Sequence, residues 1–241
     1  MKNALDDHIR AYEGELQYDF DNNILLNWYP KRILDYMRGK NSLLELGLGH
    51  GYTTNIFSGH FNKHIVLEGS DAVIQNFKKK YPACPVKIIK TYFEEFNTDE
   101  RFDVIVMGFI LEHVNDPKQI LSYFRKYLTP GGTLYVAVPN AEVLNRRLGY
   151  LAGMLPDIHE LSDHDHILGH KRYYTVTSLA EDIKNTGYEL KKLEGIYLKP
   201  FTTSQIGSLN FDTKIIDALC EVGVNYPELS CGILAELKDI S

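Results

Sequence analysis

The sequence predicts an α/β fold, a mostly parallel sheet with helices on both faces, and three observations carry that expectation. Short runs of Val, Ile and Leu alternate with amphipathic stretches. The runs are apolar throughout, which suits strands buried on both faces of a parallel sheet. One run leads directly into three glycines at alternate positions, Gly47, Gly49 and Gly51, with a helical stretch behind them.

Ser42–Leu46, His64–Leu67, Val86–Ile89, Phe102–Met107 and Thr133–Val138 read as strands, each bounded by Gly, Pro or charged residues. Tyr52–Gly59, Ala72–Tyr81 and Pro117–Leu128 read as the helices between them. In the third, Asp116 caps, Pro117 takes the first helical position, and Thr129-Pro130-Gly131-Gly132 forms a stop. After Asn140 the rhythm changes. Ala141–Leu155 reads as a helix, Pro156–Arg172 as a loop, and Thr175–Asn185 as a helix closed by Gly187. Glu189–Leu198 and Gly232–Lys238 read as two final strands. The expected organisation is one domain over 1–241: a helical, aromatic flank or lid over 1–40, a core over 42–140 and an insertion over 141–175.

At 44% hydrophobic residues, 241 residues bury a sizeable core. The net charge of −6 disfavours nucleic acid as a partner. Cys84, Cys220 and Cys231 form no CxxC pair, so a reducing compartment without disulfides is expected. Met1–Asp7 lacks the apolar run of a signal peptide, and no apolar stretch reaches the ~18 residues of a membrane span. The expected protein is soluble and cytoplasmic, with no membrane partner; its oligomeric state is left open.

The glycines carry the strongest signal. In Glu45-Leu46-Gly47-Leu48-Gly49-His50-Gly51-Tyr52 a buried strand runs into a turn that only glycine negotiates freely. A helix N-terminus behind it favours a negatively charged group. The nicotinamide fingerprint places its last glycine one residue later, where this chain has Tyr52.

E-x-G-x-G-x-G resembles the first motif of the class I S-adenosylmethionine-dependent methyltransferases, of a bacterial small-molecule and glycan-type branch. Three further segments resemble that family in order: His64-Ile65-Val66-Leu67-Glu68-Gly69-Ser70, Phe102–Val114 with its Leu111-Glu112-His113, and Leu128-Thr129-Pro130-Gly131-Gly132. The resemblance covers about 42–140. It implies a Rossmann-like sheet of seven strands, the last antiparallel, with a lid or insertion after strand 5. It implies S-adenosylmethionine as cofactor, with S-adenosylhomocysteine as product. It implies that Glu45, Gly47, Gly49, Gly51 and Gly69 form the cofactor cradle and that Glu68 accepts the ribose hydroxyls. Tyr92 and Phe93 would flank the adenine, and the end of the fourth strand, Met107-Gly108, would lie beside the methionine part. The family often has aspartate where this chain has Tyr92, which leaves Glu94 or a backbone carbonyl for the adenine amino group.

The acceptor is a small molecule on this reading, and the segments that choose it are the N-terminal flank and the insertion. Gly169-His170-Lys171-Arg172-Tyr173-Tyr174 resembles a family segment in which a histidine stands near the acceptor. His159, His164, Asp165, His166 and His170 cluster there. Three readings stay open: a polar lid, acceptor binding with acid–base chemistry, or a divalent metal site. The spacing matches no standard zinc pattern, so no metal is assigned. His170 and His166 are the candidate general bases for an oxygen acceptor, since a hydroxyl needs its proton removed and an imidazole titrates near neutrality. Tyr18, His113, Arg146, His159, Arg172 and Tyr173 are the candidate acceptor contacts, with the arginines suited to a phosphate or carboxylate. O-methylation of a sugar or of a phosphorylated or carboxylated metabolite is the leading reading. N-methylation of an amine and a non-catalytic cofactor-binding module are the alternatives.

Overall fold

The structure, a computed structural model, describes residues 19–37 and 39–240. Its sheet is built from β1 (Ser42–Leu46), β2 (Lys63–Glu68), β3 (Lys87–Lys90), β4 (Phe102–Gly108), β5 (Leu128–Pro139), β6 (Tyr188–Leu198) and β7 (Ser230–Asp239). The strand order is β3-β2-β1-β4-β5-β7-β6. β1 to β5 run parallel, and β7 lies antiparallel to both β5 and β6. This is the Rossmann-like seven-stranded arrangement expected. From β1 the chain winds outward to β2 and β3, then returns to β4 on the other side. A parallel sheet whose order reverses in this way opens a crevice at the carboxyl ends of the strands. The register aligns those ends, because Leu46 pairs with both Leu67 and Met107.

Alternation along the strands divides the core between two faces. Leu44, Leu46, Ile105 and Met107 pack against Ile120, Leu121 and Phe124 of α4 (Pro117–Phe124) and Leu179 and Ile183 of α7 (Val176–Ile183). Leu43, Val104 and Val106 face Leu25, Tyr29 and Ile33 of α1 (Asp19–Tyr36). On the β2 side, Val66 packs with Val73, Ile74 and Phe77 of α3 (Asp71–Lys80). No helix among the described residues is long and apolar enough to cross a membrane.

α1 is pinned at both ends. Asp21 forms a buried ion pair with Lys199 at 2.5 Å and accepts from Thr203, which opens α8 (Thr203–Ser208). Near its other end, Arg32 and Tyr36 donate to Glu194 of β6 at 2.9 and 2.6 Å.

Several boundaries differ from the sequence expectation for identifiable reasons. α4 stops at Phe124, and a 3-10 turn over Arg125–Tyr127 follows. Thr129–Gly132, expected as a stop before the fifth strand, lies within β5 as an irregularity: Phe102 pairs with Leu128 and Val104 with Thr133. The helix expected over Ala141–Leu155 is only Leu144–Leu151 (α5), because Ala141 N–H bonds Tyr174 O instead. The expected loop Pro156–Arg172 contains α6 (Asp163–Leu168), opened by a capping box between Ser162 and Asp165 and stopped by Gly169 at φ 77°. Between the final strands lie α8 and α9 (Thr213–Gly223), a segment where the sequence reading assigns no element.

α9 approaches β6 closely at Gly195. A Cβ there would overlap the Gly223 carbonyl and the Ser230 side chain. Gly195→Ala should therefore lower the unfolding free energy by about 1–3 kcal/mol, as overpacking does. Urea titration of both proteins checks this, and an unchanged midpoint would contradict the close packing.

Candidate functional site

The loop after β1 takes the left-handed turns that its glycines permit. Gly47, Gly49 and Gly51 have φ of 78°, 47° and 77°, a region that side chains with a Cβ disfavour. Space is short as well: a Cβ on Gly47 would stand 2.8 Å from Ile110 Cδ1. Behind the loop runs α2 (Tyr52–Phe57). Glu68, at the end of β2, accepts from Leu48 N at 3.0 Å and Ser70 N at 2.8 Å. Its carboxylate therefore ties the two neighbouring loops together.

These loops open into a cavity of about 410 Å³ at the carboxyl ends of the strands. Gly47–Thr53, Glu68–Ser70, Thr91–Glu94 and Gly108–Ile110 line one side, and Gly69, Tyr92 and Phe93 are among these lining residues. Two expected cofactor contacts do not reach the lining. Glu45 is buried, and its carboxylate accepts from Thr53 Oγ1 and bonds His64 Nε2, each at 2.9 Å. It supports the loop from behind. Met107 points into the core, since side chains alternate along β4, and Gly108 lines the cavity instead.

α1, part of the flank or lid expected over 1–40, lines the cavity with Asn22, Leu25, Leu26 and Tyr29. His50 of the glycine loop is also missed. It lines the cavity, and burial pushes its imidazole down to about 4, so it is neutral at pH 7.

His113 and His170 stand together on the other side of the cavity, with ring centroids 4.8 Å apart. His170 Nδ1 meets Asp165 Oδ1 at 2.8 Å. Burial works against charge on Asp165, yet bonds from His170, Ser162 and Tyr173 hold its carboxyl well below the usual carboxylate range. An ionised carboxylate only accepts, so Nδ1 carries the proton it donates and a neutral ring keeps Nε2 as an acceptor. Beside them lies Glu112, fully buried, with neither carboxylate oxygen hydrogen-bonded among the described residues. Burial pushes its carboxyl up to about 7. Ligand atoms of Glu112, His113 and His170 all lie within 4.8 Å of one another. One carboxylate and two imidazoles suit several divalent cations. The sequence reading looks for such a site within the linear histidine run, whereas two of these three residues come from the loop after β4.

The remaining candidates build the lid. His166 is exposed and outside the cavity lining, because Asp165, one position earlier on α6, turns inward. His159 is exposed, and its backbone N–H donates to Asp157. Arg146 donates to the carbonyls of Ile158 and Glu160 and stacks over Tyr173. Arg172 donates to the carbonyls of Leu111 and Val114, each at 2.7 Å, and so pins the loop that holds Glu112. The Tyr173 hydroxyl donates to Asp165 and does not line the cavity. Lys171 does line it, with its ammonium on Asn115. Tyr18 lies outside the described residues.

A raised carboxyl favours the protonated form in the folded state. The stability linked to that proton is complete below the unfolded value near 4.5 and is lost as pH rises through about 7. Glu112→Gln should therefore gain on the order of 3 kcal/mol relative to the parent between pH 5 and pH 8. Chemical denaturation in chelator-treated buffer at those two pH values measures the difference. Parallel pH dependence in the two proteins would contradict a neutral Glu112.

Comparison with known proteins agrees with this geometry. The family model described as a methyltransferase domain matches residues 18–193. A ubiquinone biosynthesis O-methyltransferase from Parvibaculum lavamentivorans is 31% identical over 121 residues, 48% of this chain and 44% of that protein. One from Acinetobacter baumannii is 28% identical over 222 residues, 84% of this chain and 86% of its own length. The N-methyltransferase NodS from Bradyrhizobium japonicum, solved with S-adenosyl-L-homocysteine, superposes over 100% of both chains with a TM-score of 0.62 at 13% identity. With the family matched across most of the chain and the glycine cradle at the switch point of a seven-stranded sheet, the protein belongs to the class I S-adenosylmethionine-dependent methyltransferases.

Proposed function

We propose that the chain methylates a hydroxyl oxygen of a small, largely apolar acceptor, with His170 as the general base. One observation carries the reading: His170, whose Nδ1 is held by Asp165, lines the same cavity as the glycine cradle and Glu68. The acceptor's character follows from the walls. Leu25, Leu26, Phe109, Leu168 and Cys231 line the cavity, whereas Arg146 and Arg172 are spent on backbone carbonyls outside it. Those bonds remove the expected anchor for a phosphorylated or carboxylated acceptor and favour a phenolic or similarly apolar alcohol. The two curated relatives above are named as O-methyltransferases, which favours oxygen over nitrogen.

S-adenosylmethionine, when bound, supplies an electrophilic methyl group on a cationic sulfur. The protein's part is then to orient and to move one proton. His170 takes the acceptor's hydroxyl proton on Nε2 as the oxygen bonds carbon. The sulfur–carbon electron pair stays on sulfur, which leaves as a neutral thioether. Asp165 stabilises the imidazolium that results. Glu68 holds the cofactor's ribose, and Tyr92 and Phe93 flank its adenine.

A second reading is favoured by the unpartnered oxygens of Glu112 and its distance to His113 and His170. In that case Glu112, His113 and His170 would hold a divalent cation, whose charge would make the acceptor hydroxyl easier to deprotonate.

His170→Ala separates them when paired with a chelator. Loss of a general base should cut kcat by ~100- to 10,000-fold while calorimetric affinity for S-adenosylmethionine stays put. Under the base reading the parent keeps its rate in chelator. If the substitution leaves kcat within a few-fold of the parent, the base role fails. If activity disappears in chelator and returns with a divalent ion, the cation reading replaces it.

A further inference from the structure

The segment that carries His170 is laced to the loop after β4. Lys171 N–H donates to Glu112 O at 2.8 Å. Arg172 donates to the carbonyls of Leu111 and Val114 at 2.7 Å and to that of Asn115 at 3.3 Å. Two side-chain pairs then bridge the segments. His113 meets His170, with ring centroids 4.8 Å apart, and Asn115 Oδ1 accepts from the Lys171 ammonium. All four residues line the cavity. His113 and Asn115 are two positions apart, and two residues of chain span at most ~7 Å. The ammonium pair therefore neighbours the imidazole pair. Lys171 and Asn115 are also exposed, which puts them at the cavity's mouth.

Charge sets Lys171 apart. Among the described residues that line the cavity it is the only lysine or arginine. Arg146 and Arg172 are occupied by backbone carbonyls. The Lys171 ammonium instead meets a neutral amide oxygen, and it forms no ion pair among the described residues. An ammonium has three N–H donors, so one bond leaves two. Asn115 thus places the charge without neutralising it. Leu168 and Val114, close by in sequence, add apolar wall.

We propose that Lys171, seated by Asn115, is an anion subsite that selects an acceptor carrying a carboxylate on the same small apolar frame as its reacting hydroxyl. With the hydroxyl at His170, the carboxylate accepts the two remaining ammonium N–H groups in charge-assisted bonds. Lys171 takes the anchoring task from which the arginines are withdrawn, and the body of the acceptor stays apolar. Asn115 is the positioning residue. The inference deepens the acceptor reading above and rests on it for the end of the cavity that the acceptor occupies.

Calorimetric titration of the full chain, saturated with S-adenosylhomocysteine, tests it with 3-hydroxybenzoate, 4-hydroxybenzoate and their methyl esters as probes. The esters keep the hydroxyl and lose the charge. In the parent at least one acid should bind about fivefold or more tightly than its ester. Lys171→Met keeps an apolar stem and removes the charge, and it should bring that ratio to within about twofold of one. Lys171→Arg should keep most of the preference, and Asn115→Leu should lower it by a smaller factor than Lys171→Met. Added salt should compress the ratio in the parent. Esters that bind as tightly as the acids would overturn the proposal. So would an acid preference that survives Lys171→Met, or a parent that binds none of the four probes. His170→Ala keeps the two readings apart, because it should leave the acid-to-ester ratio unchanged. Undiminished turnover in that variant, beside an intact Lys171 effect, would remove the base and leave the subsite standing.

Discussion

Glu68 accepts hydrogen bonds from the amides of Leu48 and Ser70, and through them the loop after β1 is held against the loop after β2. The position follows from topology. Leu46 and Leu67 are in register, so the last residue of β2 reaches the first turn after β1. A buried carboxylate with satisfied bonds is costly to disturb, because its partners would be left as unpaired buried N–H groups. With the loops tied, the glycines are committed to their left-handed turns and the cavity has one rigid wall. The opposite wall then needs only to be brought up to it.

That opposite wall is assembled from distant parts of the chain. Arg172 pins the loop after β4 from the far side of the insertion, and Lys171 N–H bonds Glu112 O. Asp165 collects Ser162, His170 and Tyr173 on one carboxylate, which turns a short helix into a rigid mount for an imidazole. α1 closes over the top, held by Asp21–Lys199 at one end and Arg32–Glu194 at the other. Arg146 and Arg172 are thus both engaged by backbone carbonyls of the lid and of the loop after β4.

What was legible in the sequence was encoded locally. Five apolar runs, three glycines and an acid at the end of the second strand sit in contiguous segments, and they gave the sheet, the cradle and the cofactor class. Glu45 and Met107 were misread as contacts because strand phase decides which way a side chain points, and a strand's last residues can face either layer. His166 and His170 were indistinguishable without α6. Its Ser162–Asp165 capping box and Gly169 stop were readable, and they set the helical phase that turns Asp165 inward and His166 outward. Arg146 and Arg172 were read as acceptor contacts because backbone carbonyl partners leave no mark in sequence. Glu112 is the reverse case: its segment is legible in the sequence, but its proximity to His170 arises only when the loop after β4 meets the insertion.

The central claim is that the tied loops around Glu68 form the seat of the methyl donor. Calorimetric titration of S-adenosylhomocysteine into the parent and into Glu68→Gln, with thermal melting as the control for folding, tests it most directly. Glutamine cannot accept from two amides and two ribose hydroxyls together, since its amide nitrogen only donates. The account predicts micromolar or tighter binding by the parent and a loss of more than about tenfold in a variant that still melts cooperatively. Equal affinity in the two proteins would contradict it.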